Sequence, residues 1–191
     1  MPADDLAGRL FAGERAAVSD ALNLVDDARP EQQTAARELL DRLEARGDTA
    51  RRLGVTGAPG SGKSTLIDAV LRELRSRDQS VGIIAVDPSS RSSGGALLGD
   101  RLRMRSGAAD PGVFVRSMAA RDRLGGLADA TRAGVQILSA VFDWVFVETV
   151  GVGQSEVEVA CSADLTMVVL HPGGGDTIQA MKAGLMEIAD R

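Results

Sequence analysis

The chain holds one cysteine, Cys161, and one histidine, His171, in 191 residues. A single cysteine forms no internal disulfide, and one cysteine with one histidine cannot build a zinc or nickel cage. A serine–histidine hydrolase would have to use His171. That residue sits between Leu170 and Pro172 with no nucleophile signature beside it, so it reads as an ordinary loop histidine. Long apolar runs are missing too: none approaches the ~20 residues that span a bilayer. The N-terminus, MPADDLAGRL, lacks the basic segment and apolar stretch of a secretory signal, and its acids argue against a transit peptide. The expectation is a cytoplasmic protein with no membrane partner. No long basic run occurs and the net charge is −5, which argues against a nucleic-acid partner. Lysine is scarce: of 22 basic residues only Lys63 and Lys182 are lysines. Where a chain that otherwise uses arginine takes lysine, a compact, rotatable point charge suits the position better than a planar fork.

What is present begins with an ordinary hydrophobic content of 44%, enough for one well-buried core with an appendage. From Leu6 to Glu44 the sequence is polar, acidic and periodic. Leu10, Ala17, Ala21, Leu24 and Val25 share a face; Leu39, Leu40 and Leu43 follow Pro30, which reads as a helix start. Two amphipathic helices are expected there, as an N-terminal appendage over residues 1–50, with RGDTAR (46–51) as the linker. Residues 51–191 then alternate strands and helices. LGVTG (53–57), VGIIAVD (81–87), GVFVRSM (112–118), WVFVE (144–148) and LTMVVL (165–170) read as strands. Lys63–Arg77, Leu124–Val141, Ser155–Ser162 and Asp176–Ala189 read as helices. The pattern predicts an α/β fold with a mostly parallel sheet flanked by helices, whose ligands gather at the carboxyl ends of the strands.

The motifs stand at those ends. GAPGSGKS (57–64) fits the phosphate-loop pattern, with a strand before it and a helix after it. Gly57, Gly60 and Gly62 let the backbone wrap a phosphate without side-chain clashes. Ala58, Pro59, Ser61 and Thr65 belong to the same cradle, whose amide N–H groups point inward. Lys63 should reach the outer phosphates and the Ser64 hydroxyl should ligate Mg²⁺. A magnesium site of this kind needs an acid at the end of a neighbouring strand, and two candidates exist, Asp87 and Glu148. Glu148 opens ETVGVGQSE, where Glu148 and Gly151 have the spacing of a switch: the acid serves the metal, and the Gly151 amide bonds the terminal phosphate. Gln154 has two readings, orienting an attacking water or capping the helix that follows. The long polar stretch after Asp87, DPSSRSSGGALLGDRLRM, carries Asp100, which reads as a second functional acid or as a helix N-cap. PGGGDTIQAMKAG (172–184) sets Asp176, Gln179 and Lys182 near one helical face; on composition alone this is a capped helix with a solvated side.

Taken in order, GAPGSGKST, VDPSS…GGALLGD, ETVGVGQSE and PGGGDTIQAMKAGLMEIAD closely resemble the MeaB/ArgK-type GTPases, the chaperones of adenosylcobalamin-dependent methylmalonyl-CoA mutase and related acyl-CoA mutases. The resemblance covers essentially the whole chain. It implies a P-loop NTPase fold and a homodimeric GTPase using GTP/GDP and Mg²⁺. Its nucleotide cycle would gate cobalamin transfer from an adenosyltransferase and protect or reactivate the mutase. By the same resemblance Lys63 and Ser64 serve phosphate and metal, and Asp87 and Asp100 belong to a first switch. Glu148 starts a second switch, and Asp176, Gln179 and Lys182 lie in a further one that answers to the partner. The family continues past EIAD into a strand bearing N-K-x-D, which reads guanine, and into a dimerisation arm; the sequence ends at Arg191, before either. Three other classes are weighed against this reading. A small-molecule P-loop kinase would need an arginine lid over the phosphates, for which the Arg101, Arg103 and Arg105 cluster could be mistaken. A nickel-delivery GTPase would need the missing His or Cys ligands. The last is an inactive truncated domain. An older label in the family, a kinase linked to basic amino-acid transport, fits these residues less well.

Overall fold

The structure, a computed structural model, describes residues 3–27, 29–47, 49–87, 110–119, 126–149 and 162–170. Three helices come first: α1 (Ala3–Phe11), α2 (Arg15–Asp26) and α3 (Pro30–Arg46). They are followed by β1 (Arg51–Thr56), α4 (Lys63–Ser76), β2 (Val81–Asp87), β3 (Val113–Ala119), α5 (Gly126–Ser139), β4 (Trp144–Thr149) and β5 (Leu165–Val168). Among the described residues no helix is long and apolar enough to cross a membrane.

The N-terminal segment differs from the expected pair of helices, because the first periodic stretch is broken. Gly13, at φ 74°, donates its amide to Leu10 O at 2.9 Å, and Glu14 donates to Arg9 O at 3.0 Å. This is the Schellman pattern, in which a left-handed glycine closes the last carbonyls of a helix. The Arg9 guanidinium then grips the Glu14 carboxylate across the turn, at 2.8 and 2.7 Å. The apolar periodicity runs on through the break, so it hides the turn. Pro30 stands in the first turn of α3, as its fixed φ favours.

The strands form one parallel sheet in the order β3-β2-β4-β1-β5. One face packs on α4 through Leu53, Val55, Ile67, Leu71, Ile83 and Phe146. The other face, with Ile84, Val86, Val145 and Val147, packs on α5 through Val135 and Leu138, and Leu10, Val18, Leu22 and Leu39 of the three N-terminal helices belong to this same cluster. Strands covered on both sides are apolar along most of their length, as β2 and β4 are. Buried polar residues also stand at the carboxyl ends of β1 and β4, namely Thr56, Glu148 and Thr149. The positions 155–162 and 176–189 expected as helices lie outside the described residues, apart from Ser162, which stands in a turn.

Candidate phosphate site

The segment after β1 is built around glycines. Gly57, Gly60 and Gly62 sit at φ 140°, 77° and 98°. Gly57 is constrained twice: its φ disfavours any side chain, and a Cβ there would overlap the backbone carbonyl oxygen of Val169, next to β5. Gly62 caps α4, and Leu66 donates to its carbonyl at 2.9 Å. The helix therefore begins at Lys63 and directs its amide-rich N-terminus into the loop, an arrangement that favours anions.

Lys63 is only 7% exposed. Its Nζ donates to Gly57 O at 2.8 Å and to Ala58 O at 3.0 Å, so the ammonium bends back over the loop that precedes it. Ser61 donates its amide to Ala58 O at 3.1 Å, and its buried hydroxyl meets no partner among the described residues. Ser64 Oγ donates to Glu148 Oε1 at 2.7 Å. The contact follows from topology: β4 lies directly beside β1, with Val55 opposite Glu148, so the acid ending β4 is one strand spacing from the loop leaving β1. Glu148 is 8% exposed.

Of the two acids offered for the metal, the structure brings Glu148 to Ser64. Asp87 ends β2 on the far side of β4, and its side chain lies outside the described residues. Asp100, Gly151, Gln154, Asp176, Gln179 and Lys182 lie outside them as well. Among the described residues no three His, Cys, Asp or Glu side chains are gathered to hold a metal. The donors that do meet, a hydroxyl and a carboxylate at the mouth of a phosphate loop, fit Mg²⁺, which takes one or two protein oxygens and completes its shell with water and phosphate. Two threonines escaped the motif reading. Thr149 Oγ1 donates to Thr56 Oγ1 at 2.9 Å, with both residues buried. Their only signal in the sequence is position, one immediately before the loop and one immediately after Glu148.

The family model described as methylmalonyl-CoA mutase-associated GTPase MeaB matches residues 18–191. The chain belongs to the MeaB family. It is 48% identical over 191 residues to a protein of Pyrococcus horikoshii, covering 100% of this chain and 59% of that one. GTPase ArgK of Escherichia coli is 43% identical over 183 residues, covering 95% of this chain and 55% of ArgK. A solved structure described as a LAO/AO transport system kinase superimposes with a TM-score of 0.75 at 34% identity, over 98% of this chain and 54% of that one. The chain spans little more than half the length of these relatives. The α/β P-loop NTPase fold and the MeaB/ArgK relationship expected from the sequence are both found.

Proposed function

We propose that this MeaB-family chain carries the nucleotide site of a Mg²⁺-dependent GTPase that serves a cobalamin-dependent acyl-CoA mutase in the cytoplasm. The observation that carries the reading is the meeting of Ser64 and Glu148 at 2.7 Å beneath a glycine-built loop, in a family named for association with methylmalonyl-CoA mutase.

Lys63 exchanges its bonds to Gly57 O and Ala58 O for the outer phosphate oxygens, keeping the ammonium satisfied in both states. The N-terminus of α4 and the loop amides take the remaining phosphate charge. Ser64 and Glu148 hold the magnesium, which when bound supplies charge neutralisation to the phosphates. Asp87 and Asp100 serve the first switch. Gly151 senses the terminal phosphate, Gln154 orients the attacking water, and the 172–184 segment answers to the mutase. Homodimer formation and the gating of cobalamin transfer belong to the same reading.

The chemistry is tested by titrating GTP and ATP side by side by calorimetry and by following phosphate release with no acceptor present. Preference for GTP together with acceptor-free release is expected. Equal affinities would remove guanine from the reading while leaving the phosphate loop in place. Silence without an acceptor would favour the kinase class that the name of the solved relative suggests. Glu148→Gln should retain nucleotide and lose Mg²⁺-dependent hydrolysis by roughly 100-fold, since it exchanges a charged oxygen ligand for a neutral one; turnover equal to the parent's would remove Glu148 from the site. The partner is tested by adding a purified acyl-CoA mutase to the nucleotide-loaded protein, with complex formation on gel filtration as the expected result.

A further inference from the structure

The end of β4 is fastened on both faces of the sheet, to α4 on one and to β1 on the other. Side chains alternate along a strand, so Phe146 and Glu148 face α4, whereas Val145, Val147 and Thr149 face α5 and the N-terminal helices. On the α4 side Ser64 holds Glu148 at 2.7 Å. On the opposite side Thr149 holds Thr56 at 2.9 Å, in a pocket where the two residues are 1% and 0% exposed. Thr56 is stitched further by its backbone: Val169 donates to Thr56 O at 2.8 Å, and the Val169 carbonyl lies against Gly57. The roots of three loops, leaving β1, β4 and β5, therefore meet at Thr56.

The two fasteners differ in what a ligand does to them. Ser64 and Glu148 are the pair proposed to take up the metal, so their mutual bond is exchangeable. The threonine pair faces away from the phosphates and has no such exchange open to it. We propose that Thr149, through its buried bond to Thr56, is a positioning residue that fixes the Glu148 backbone relative to the phosphate loop while the Ser64–Glu148 bond is traded for metal. The proposal rests on the magnesium-dependent GTPase reading above.

The test uses Thr56→Val and Thr149→Val, singly and together, with Thr149→Ser as the conservative control. Each single valine leaves one buried hydroxyl without its partner, whereas the double variant replaces both by apolar groups of the same shape. The midpoint of thermal unfolding should fall in the singles and recover in the double. The Mg²⁺ concentration that half-saturates GTP turnover should rise roughly tenfold in the singles and in the double alike, and return to the parent's value in Thr149→Ser. A double variant that recovers stability and magnesium midpoint together overturns the proposal, because the pair would then act through packing alone. If the parent chain itself releases no phosphate from GTP, the activity reading fails separately. The fastening is then read from amide hydrogen exchange over residues 145–149 without nucleotide. Faster exchange in the stability-matched double variant supports the proposal, and exchange equal to the parent's overturns it.

Discussion

At the amino-terminal edge of the sheet, polar groups are matched to one another. Ser80, just before β2, donates its amide and its hydroxyl to Asp143, just before β4, at 2.7 Å each, and Asp143 returns its own amide to Ser80 Oγ at 3.0 Å. Arg75, near the end of α4, pairs with Asp110 at 3.0 Å, and Asp110 also accepts the Gly112 amide at 2.7 Å. The carboxyl-terminal edge contains ionisable groups that are better buried, Lys63 and Glu148, bonded to loop carbonyls and to a serine hydroxyl. Burying a charge is costly, and a chain seeking stability alone would keep such groups at the surface or replace them. The amino-terminal edge is organised to close the fold; the carboxyl-terminal edge holds buried charge in the bonds that the proposed phosphate and metal would take over.

The sharpest way to break this contrast is at two glycines. Gly57→Ala forces a Cβ onto the backbone of Val169 at an unfavourable φ, and nothing nearby can give way cheaply. A loss of about 3 kcal/mol in urea unfolding is expected. Gly112→Ala, at the other edge, meets first the guanidinium of Arg75, the far end of a flexible side chain. Its cost should be about 1 kcal/mol, mostly the displaced Arg75–Asp110 pair. If the two substitutions cost the same, the packing of the loop against Val169 is looser than its geometry states.

Next in size is Lys63→Ala. Charge-assisted hydrogen bonds contribute about 1.5–3 kcal/mol each, so nucleotide affinity should fall by about 100-fold or more in a calorimetric titration. Undiminished binding would sink the phosphate-loop assignment.

How much of this was legible depends on whether a signal was local. The phosphate loop was, since glycine spacing and a lysine are needed at fixed positions along the chain, and the apolar strands were, since burial on both faces leaves little choice of residue. Strand order was not: only the sheet shows that β4, which is far from β1 in sequence, lies beside it and so brings Glu148 to Ser64. The turn at Gly13 was hidden because hydrophobic periodicity continues on either side of it. Thr56 and Thr149 carried no pattern of their own, since their meaning comes from being neighbours across strands.

Smaller again is the acid response of the amino-terminal edge. The Ser80 hydroxyl and amide, with the Asp143 backbone amide, hold the Asp143 carboxyl below its ordinary range against a modest opposing effect of burial. Arg75, and then the Gly112 amide, do the same for Asp110. As pH falls, the unfolded chain takes up these protons first, so the stabilisation is complete above the ordinary carboxylate value of 3.8 and is lost below it. Asp143→Asn should cost about 1 kcal/mol at pH 7 and flatten the stability loss between pH 4 and pH 2, measured by denaturant unfolding across that range. A variant whose stability falls as steeply as the parent's over that interval would show that other carboxylates govern the acid limb.

The smallest effect is expected on the outer face of α4, which lies between the two edges and belongs to neither. Arg72 reaches back to Asp68 at 2.8 Å, with the acid one turn N-terminal to the base, the favourable order for a helix. The arginine side chain is 65% exposed, so water and salt screen the pair. Arg72→Ala should therefore change stability by less than about 0.5 kcal/mol, and 0.5 M NaCl should change the parent's unfolding midpoint no more than the variant's. That comparison separates geometry from environment, because the Arg75–Asp110 pair three residues on has a similar separation, 3.0 Å, but side chains only 23% and 26% exposed. Arg75→Ala should cost at least twice what Arg72→Ala does. Equal costs would mean that contact distance alone sets the strength of these pairs, and the matched polar groups at the amino-terminal edge would then be no more structural than the solvated face of the helix.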